Sequence, residues 1–130
     1  MIVVDASAIL EILLNTSSAS RIAERLFASP VSLHSPQLLD LEIAQVLRRY
    51  ARTEQIDAYR SQEALQDFMD LPITRYPHQP LLPRVWELRH NFTAYDAAYL
   101  SLAEALGAPL VTRDAALAKA QGHEAVVQVV

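Results

Sequence analysis

Short apolar, β-branched runs alternate with longer segments of helical period along the whole chain, and this alternation constrains the fold most. Ile2-Val3-Val4 is the first run, and Asp5 closes it. Residues 6–14 read as a helix, and residues 19–28 as a second, with Ile22, Leu26 and Phe27 as its buried stripe. A strand over 31–34 follows, bracketed by Pro30 and Pro36. The long helix over 37–52 places Leu39, Ile43, Val46, Leu47 and Tyr50 on one face. Next come a helix over 57–70 with Tyr59, Ala64, Leu65 and Phe68, a strand over 72–77, and a helix over 80–91 with Leu81, Leu82, Val85, Trp86 and Leu88. Thr93 opens a helix over 94–106, which Gly107 ends as a C′ glycine. A strand over 109–112, a helix over 114–121 and a strand over 125–129 complete the chain. Strands that alternate with helices form a parallel sheet covered on both faces. The expected fold is therefore α/β: a three-layer sandwich with a central, mainly parallel sheet of four to five strands flanked by helices.

At 130 residues the chain is one domain, 1–130, with no internal linker or repeat. Its two glycines, Gly107 and Gly122, cannot build a dinucleotide-binding or Walker A loop. With no cysteine there is no disulfide, thiolate–metal site or cysteine nucleophile. A net charge of −4 excludes a bulk-basic nucleic-acid binder. No basic leader precedes the apolar start, and no apolar run reaches the roughly 18–20 residues of a membrane span. The expected location is the cytoplasm, away from membranes.

In such sheets ligands gather at the carboxyl ends of the strands. Four acids map to that edge. Asp5 ends the first strand, and Asp114 follows the strand over 109–112 by two residues. Asp96 lies in the first turn of the helix over 94–106, and Glu42 about 8 Å into the helix over 37–52. Each has a structural alternative. Asp5 and Asp114 suit helix N-caps, and Thr93 to Asp96 matches a capping box. Glu42 suits a solvated helix position. Two details favour a site. Asp96 sits in an apolar segment away from the polar stripe of Ser101 and Glu104, and Glu42 has no basic partner three or four residues on. Clustered carboxylates repel each other, and a divalent ion resolves the repulsion. Oxygen-only ligands select a hard metal, Mg²⁺ or Mn²⁺. Bound there, such an ion acidifies a water and neutralises a phosphodiester.

Met1-Ile2-Val3-Val4-Asp5-Ala6-Ser7-Ala8 resembles the opening of PIN-domain nucleases. Residues 36–49, with Glu42 inside a helix after a strand, resemble the family's second acidic segment. Thr93-Ala94-Tyr95-Asp96 through Ala103, followed by Leu110-Val111-Thr112-Arg113-Asp114, is the strongest match. At this length the chain looks like a VapC-type toxin of a bacterial or archaeal toxin–antitoxin pair. The resemblance implies a ribonuclease with Asp5, Glu42, Asp96 and Asp114 as its acidic tetrad. It implies direct Mg²⁺ contact by Asp5 and Asp96, with Glu42 and Asp114 reaching the ion directly or through water. Ser7 and Thr112 match the family's small hydroxyl positions and either orient ligands or bond helix starts. An antitoxin protein, a homodimer and an RNA substrate are the implied partners. Two positions depart from the pattern. Gln45 stands where many relatives carry Asn, and Leu117 where some add a carboxylate.

Other residues give weaker signals. Arg48, Arg49 and Arg113 are candidates for RNA-phosphate contacts, with a solvated face or an antitoxin salt bridge as the alternative. Trp86, Phe92, Tyr95 and Tyr99 are candidates for base stacking, although Trp86 fits a core or interface better. Asp40 is expected in solvent, and His34 at a strand end near the rim. The four histidines show no metal-binding spacing. A non-catalytic PIN-like module that binds RNA or protein is the competing function. A haloacid-dehalogenase-like phosphatase is disfavoured, because Asp5-Ala6-Ser7 lacks the second Asp of Asp-x-Asp.

Overall fold

Ile2 and Val4 face one way from the first strand and Val3 the other, and each side anchors its own hydrophobic core. The computed structural model describes residues Met1 to Val130. The strands are β1 (Ile2–Val4), β2 (Leu33–Pro36), β3 (Ile73–Tyr76), β4 (Leu110–Thr112) and β5 (Val127–Val129). They form one parallel sheet in the order β3-β2-β1-β4-β5.

Four helices cover the Ile2/Val4 face: α1 (Ala6–Leu13), α2 (Ala19–Leu26), α3 (Leu38–Arg52) and α4 (Ala58–Met69). Ile9, Ile22, Leu26, Leu39, Ile43 and Phe68 fill that core. The other face carries α5 (Leu82–Glu87), α6 (Ala94–Leu106) and α7 (Ala115–Lys119). The three-layer α/β sandwich expected from the alternation is present, and all five strand runs pair in parallel.

The chain steps from β1 outward through β2 to β3, then crosses back so that β4 pairs with the opposite edge of β1. The order therefore reverses between β1 and β4, and a crevice at their carboxyl ends is the natural ligand position.

Several local expectations need correction. Phe27 lies outside the α2 stripe and is 41% exposed, because α2 ends at Leu26. Tyr59 and Trp86 point outward, and Trp86 is 67% exposed with the Arg89 guanidinium 4.6 Å from its ring centre. Ser101 belongs to no polar stripe; α6 is buried continuously from Ala97 to Ala103 between the sheet and α5. The helix expected over 80–91 is a 3₁₀ turn, Gln79–Leu81, and then α5, since Pro80 and Pro83 lack the amide donors of a continuous helix. His34 is interior to β2, opposite Val3 and Thr74, with its ring bonded to Ser32 and to the Tyr76 hydroxyl. Asp40 is ion-paired rather than free, 2.8 Å from Arg75 Nε. Gly107 does end α6, with φ at +60°, as expected of a C′ glycine.

Candidate active site

Asp5 leaves β1 at the crevice and becomes the N-cap of α1, where its Oδ1 accepts from the Ala8 amide at 3.3 Å. Two hydroxyls hold the same carboxylate. Ser7 Oγ donates to Oδ1 at 2.6 Å, and Thr112 Oγ1, from the end of β4, donates to Oδ2 at 2.5 Å. Each hydroxyl has one proton and spends it on Asp5. Their oxygens then accept backbone amides: Arg113 N–H on Ser7 at 2.9 Å, and Asp114 N–H on Thr112 at 3.0 Å. With both hydroxyls donating, Asp5 accepts at each oxygen, and these bonds favour its ionised form. Burial nevertheless raises the Asp5 pKa, against the lowering effect of these hydrogen bonds.

Glu42 projects from α3, one turn past its start. The Tyr99 hydroxyl of α6 donates to Glu42 Oε1 at 2.5 Å. Burial raises the Glu42 pKa, and the neighbouring Asp5 and Asp96 charges raise it further. Asp96 sits in the first turn of α6, and its amide donates to the capping hydroxyl of Thr93 at 3.1 Å. Burial raises its pKa first, and the Asp114 charge second. Asp114 caps α7, accepting from the Ala116 amide at 2.9 Å. The four acids thus form a line of mutual repulsion, Asp5 to Glu42 to Asp96 to Asp114. The capping alternatives for Asp5 and Asp114 are therefore observed, and both residues remain within electrostatic reach of another acid of the four.

No cation of the chain answers that repulsion. Every ion pair engages other carboxylates: Glu63 and Asp67 with Arg60, Asp40 with Arg75, Glu87 and Glu104 with Arg84, and Glu11 with Arg113. Arg113, a candidate phosphate contact, is turned toward Glu11 and the Val130 carbonyl. Arg48 and Arg49 are exposed on α3, with Arg49 over the Tyr50 ring. They lie six and seven residues past Glu42, about 9–10 Å along the helix axis. Leu117 is buried in the core, and Gln45 is exposed.

The donor set suits a hard divalent ion. It is all oxygen, it is anionic, and burial disfavours its charges unless a cation is present. No three acidic or histidine side chains are drawn together into a ready-made cage. Magnesium asks for less, since it keeps several waters and takes one or two carboxylates.

Tyr99, a stacking candidate by residue type, is not accessible to bases. It is 3% exposed, and its ring packs in the core while its hydroxyl reaches Glu42. The signal was present in its spacing, since Tyr99 follows Asp96 by three residues and so shares its helix face. Phe92 is also buried, edge-on to His123, which leaves Tyr95 and Trp86 as the exposed aromatics of the four.

Known proteins match the chain over most of its length. The model of the PIN domain matches residues 2–122. The VapC ribonuclease Mb0985 of Mycobacterium bovis is 49% identical over 116 residues, covering 88% of this chain and 86% of that protein. Ribonuclease VapC12 of Mycobacterium tuberculosis is 37% identical over 130 residues, covering 100% and 99%. Among solved structures, PAE2754 from Pyrobaculum aerophilum superposes with a TM-score of 0.72 at 25% identity, over 97% of this chain and 82% of that one. VapBC2 from Rickettsia felis, bound to a DNA fragment from the promoter, superposes with a TM-score of 0.73 over 99% and 98%; at 16% identity it speaks to the fold alone.

Proposed function

The chain belongs to the PIN-domain family, and we propose that it is a VapC-type endoribonuclease that hydrolyses RNA phosphodiester bonds with Mg²⁺, or Mn²⁺ in its place. One observation supports this reading: Glu42 feels the charges of Asp5 and Asp96, Asp96 feels that of Asp114, and none of the four acids has a cationic partner in the chain. Asp5 and Asp96 would hold the ion, with Glu42 and Asp114 reaching it directly or through water. When bound, the ion supplies an acidified water and positive charge against the scissile phosphate. The chain's own residues do the rest. Ser7, Thr112 and the Ala8 amide fix both Asp5 oxygens in direction. Asp96 and Asp114 are presented from helix starts, where backbone amides favour negative charge. Arg48 and Arg49, a turn or more beyond Glu42, serve phosphates flanking the cut rather than the cut itself.

The ribonuclease names of the relatives support the substrate class. The toxin role, with an antitoxin as partner and a homodimer as the assembly, is part of the same proposal. Among structural neighbours, one is described as a toxin–antitoxin complex from Klebsiella pneumoniae. No helix is long and apolar enough to cross a membrane, and a cytoplasmic location fits an RNA target. The test is to map cellular RNA ends after brief expression of the wild type and of Asp96→Asn. New ends with the wild type only are expected; identical end profiles would remove the assignment.

A further inference from the structure

We infer that Tyr99 is a positioning residue for Glu42: its hydroxyl engages one carboxylate oxygen and leaves the other free to bind an ion. This rests on the metal-nuclease reading above. The hydrogen bond joins α6 to α3 across the sheet rim, between residues 57 positions apart. It is the one hydrogen bond that the Glu42 carboxylate receives within the chain, and it falls on Oε1, so Oε2 has no partner. Asp96 lies one turn earlier on the same helix, so the bond that fixes Glu42 also fixes its spacing from Asp96. Without it, a three-bond glutamate side chain beside two like charges would swing toward water. The Tyr99 ring is locked by the core around α6, which makes the hydroxyl a rigid support. Ser35 Oγ, fully buried and with no hydrogen bond of its own, lies beside that hydroxyl.

The test is Tyr99→Phe, which keeps the ring and removes only the hydroxyl. Mg²⁺ binding is read by calorimetry, and RNA cleavage is followed as kcat and KM against Mg²⁺ concentration. The expected result is a roughly ten-fold or greater rise in the Mg²⁺ dissociation constant, the scale seen when a ligand's supporting partner is removed. KM for RNA stays unchanged. Adding Tyr99→Phe to Glu42→Gln brings no further loss, because the hydroxyl acts only through Glu42. As a check that needs no loss of the hydroxyl, 3-fluorotyrosine at position 99 should show a fluorine resonance that moves on Mg²⁺ addition in the otherwise native chain and stays fixed in Glu42→Gln. Equal Mg²⁺ binding by wild type and Tyr99→Phe, additive losses in the double variant, or a fluorine resonance indifferent to Mg²⁺ would overturn the role of Tyr99. A wild-type chain that neither binds Mg²⁺ nor cuts RNA would overturn the underlying reading instead.

Discussion

Asp5 and Thr112 stand 107 positions apart in sequence and are joined by a 2.5 Å hydrogen bond from the threonine hydroxyl to the carboxylate. β1 and β4 are neighbours only because the strand order reverses between them, so the fold itself makes this bond. Thr112→Val keeps the side-chain shape and removes the donor. A hydrogen bond to a charged group is worth about 1.5–3 kcal/mol. Urea unfolding of the metal-free variant should show a loss in that range, together with weaker Mg²⁺ binding. A loss below about 0.5 kcal/mol, the size of a neutral surface change, would show that the bond does not hold Asp5.

Removing one of the crowded charges should stabilise the chain while ending its activity. Asp96 repels Glu42 and is repelled by Asp114. Asp96→Asn is expected to raise the Tm of the metal-free protein, by on the order of 1 kcal/mol of stability, and to abolish cleavage. A lower Tm would mean that Asp96 makes a favourable contact that the line of repulsion does not include.

The pH dependence follows from the raised carboxyl pKa values of Asp5, Glu42 and Asp96. A group whose pKa is raised by folding holds its proton in the folded chain after the unfolded chain has lost it. Its contribution to stability is complete below the ordinary carboxyl pKa and is lost as pH rises through the raised value. These three groups therefore weaken the metal-free chain as pH climbs toward neutrality. Mg²⁺ takes the place of the protons, so the Tm gain on adding Mg²⁺ should grow across the same window. Thermal melts with and without Mg²⁺ at several pH values test this, and a gain independent of pH contradicts it.

Asp40 is two residues from Glu42 and offers a control. It pairs with Arg75, whose guanidinium also lies 5.3 Å from the centre of the Phe68 ring. Both partners are partly exposed, so the pair is worth about 1 kcal/mol or less. Asp40→Asn should leave cleavage at the wild-type rate and lower stability by no more than that amount. A large loss of cleavage would place Asp40 in the site.

The sequence carried the parts of this structure that local chemistry decides. The β-branched run ending at Asp5, the Thr93 cap and Gly107 each specify their own element, and together they set the sheet and its acidic rim. Pairings made across the fold were not legible. Asp40 meets Arg75 from 35 residues away, and Tyr99 meets Glu42 from another layer of the sandwich. Periodicity also misled where a helix is buried on nearly every side. Ser101 looked polar by type but lies within the continuous apolar packing of α6. Trp86 suited a core or an interface, and the short helix that carries it turns the indole outward, which excludes the core.

The most direct test of the acidic site is RNA cleavage by the purified chain, stripped with EDTA and then supplied with Mg²⁺, beside Asp5→Asn treated in the same way. The expected result is no cleavage when stripped, cleavage restored by Mg²⁺ in the wild type, and none restored in a folded Asp5→Asn chain. Cleavage that persists in EDTA, or that Mg²⁺ restores equally in both proteins, would contradict a metal-dependent nuclease built on these carboxylates.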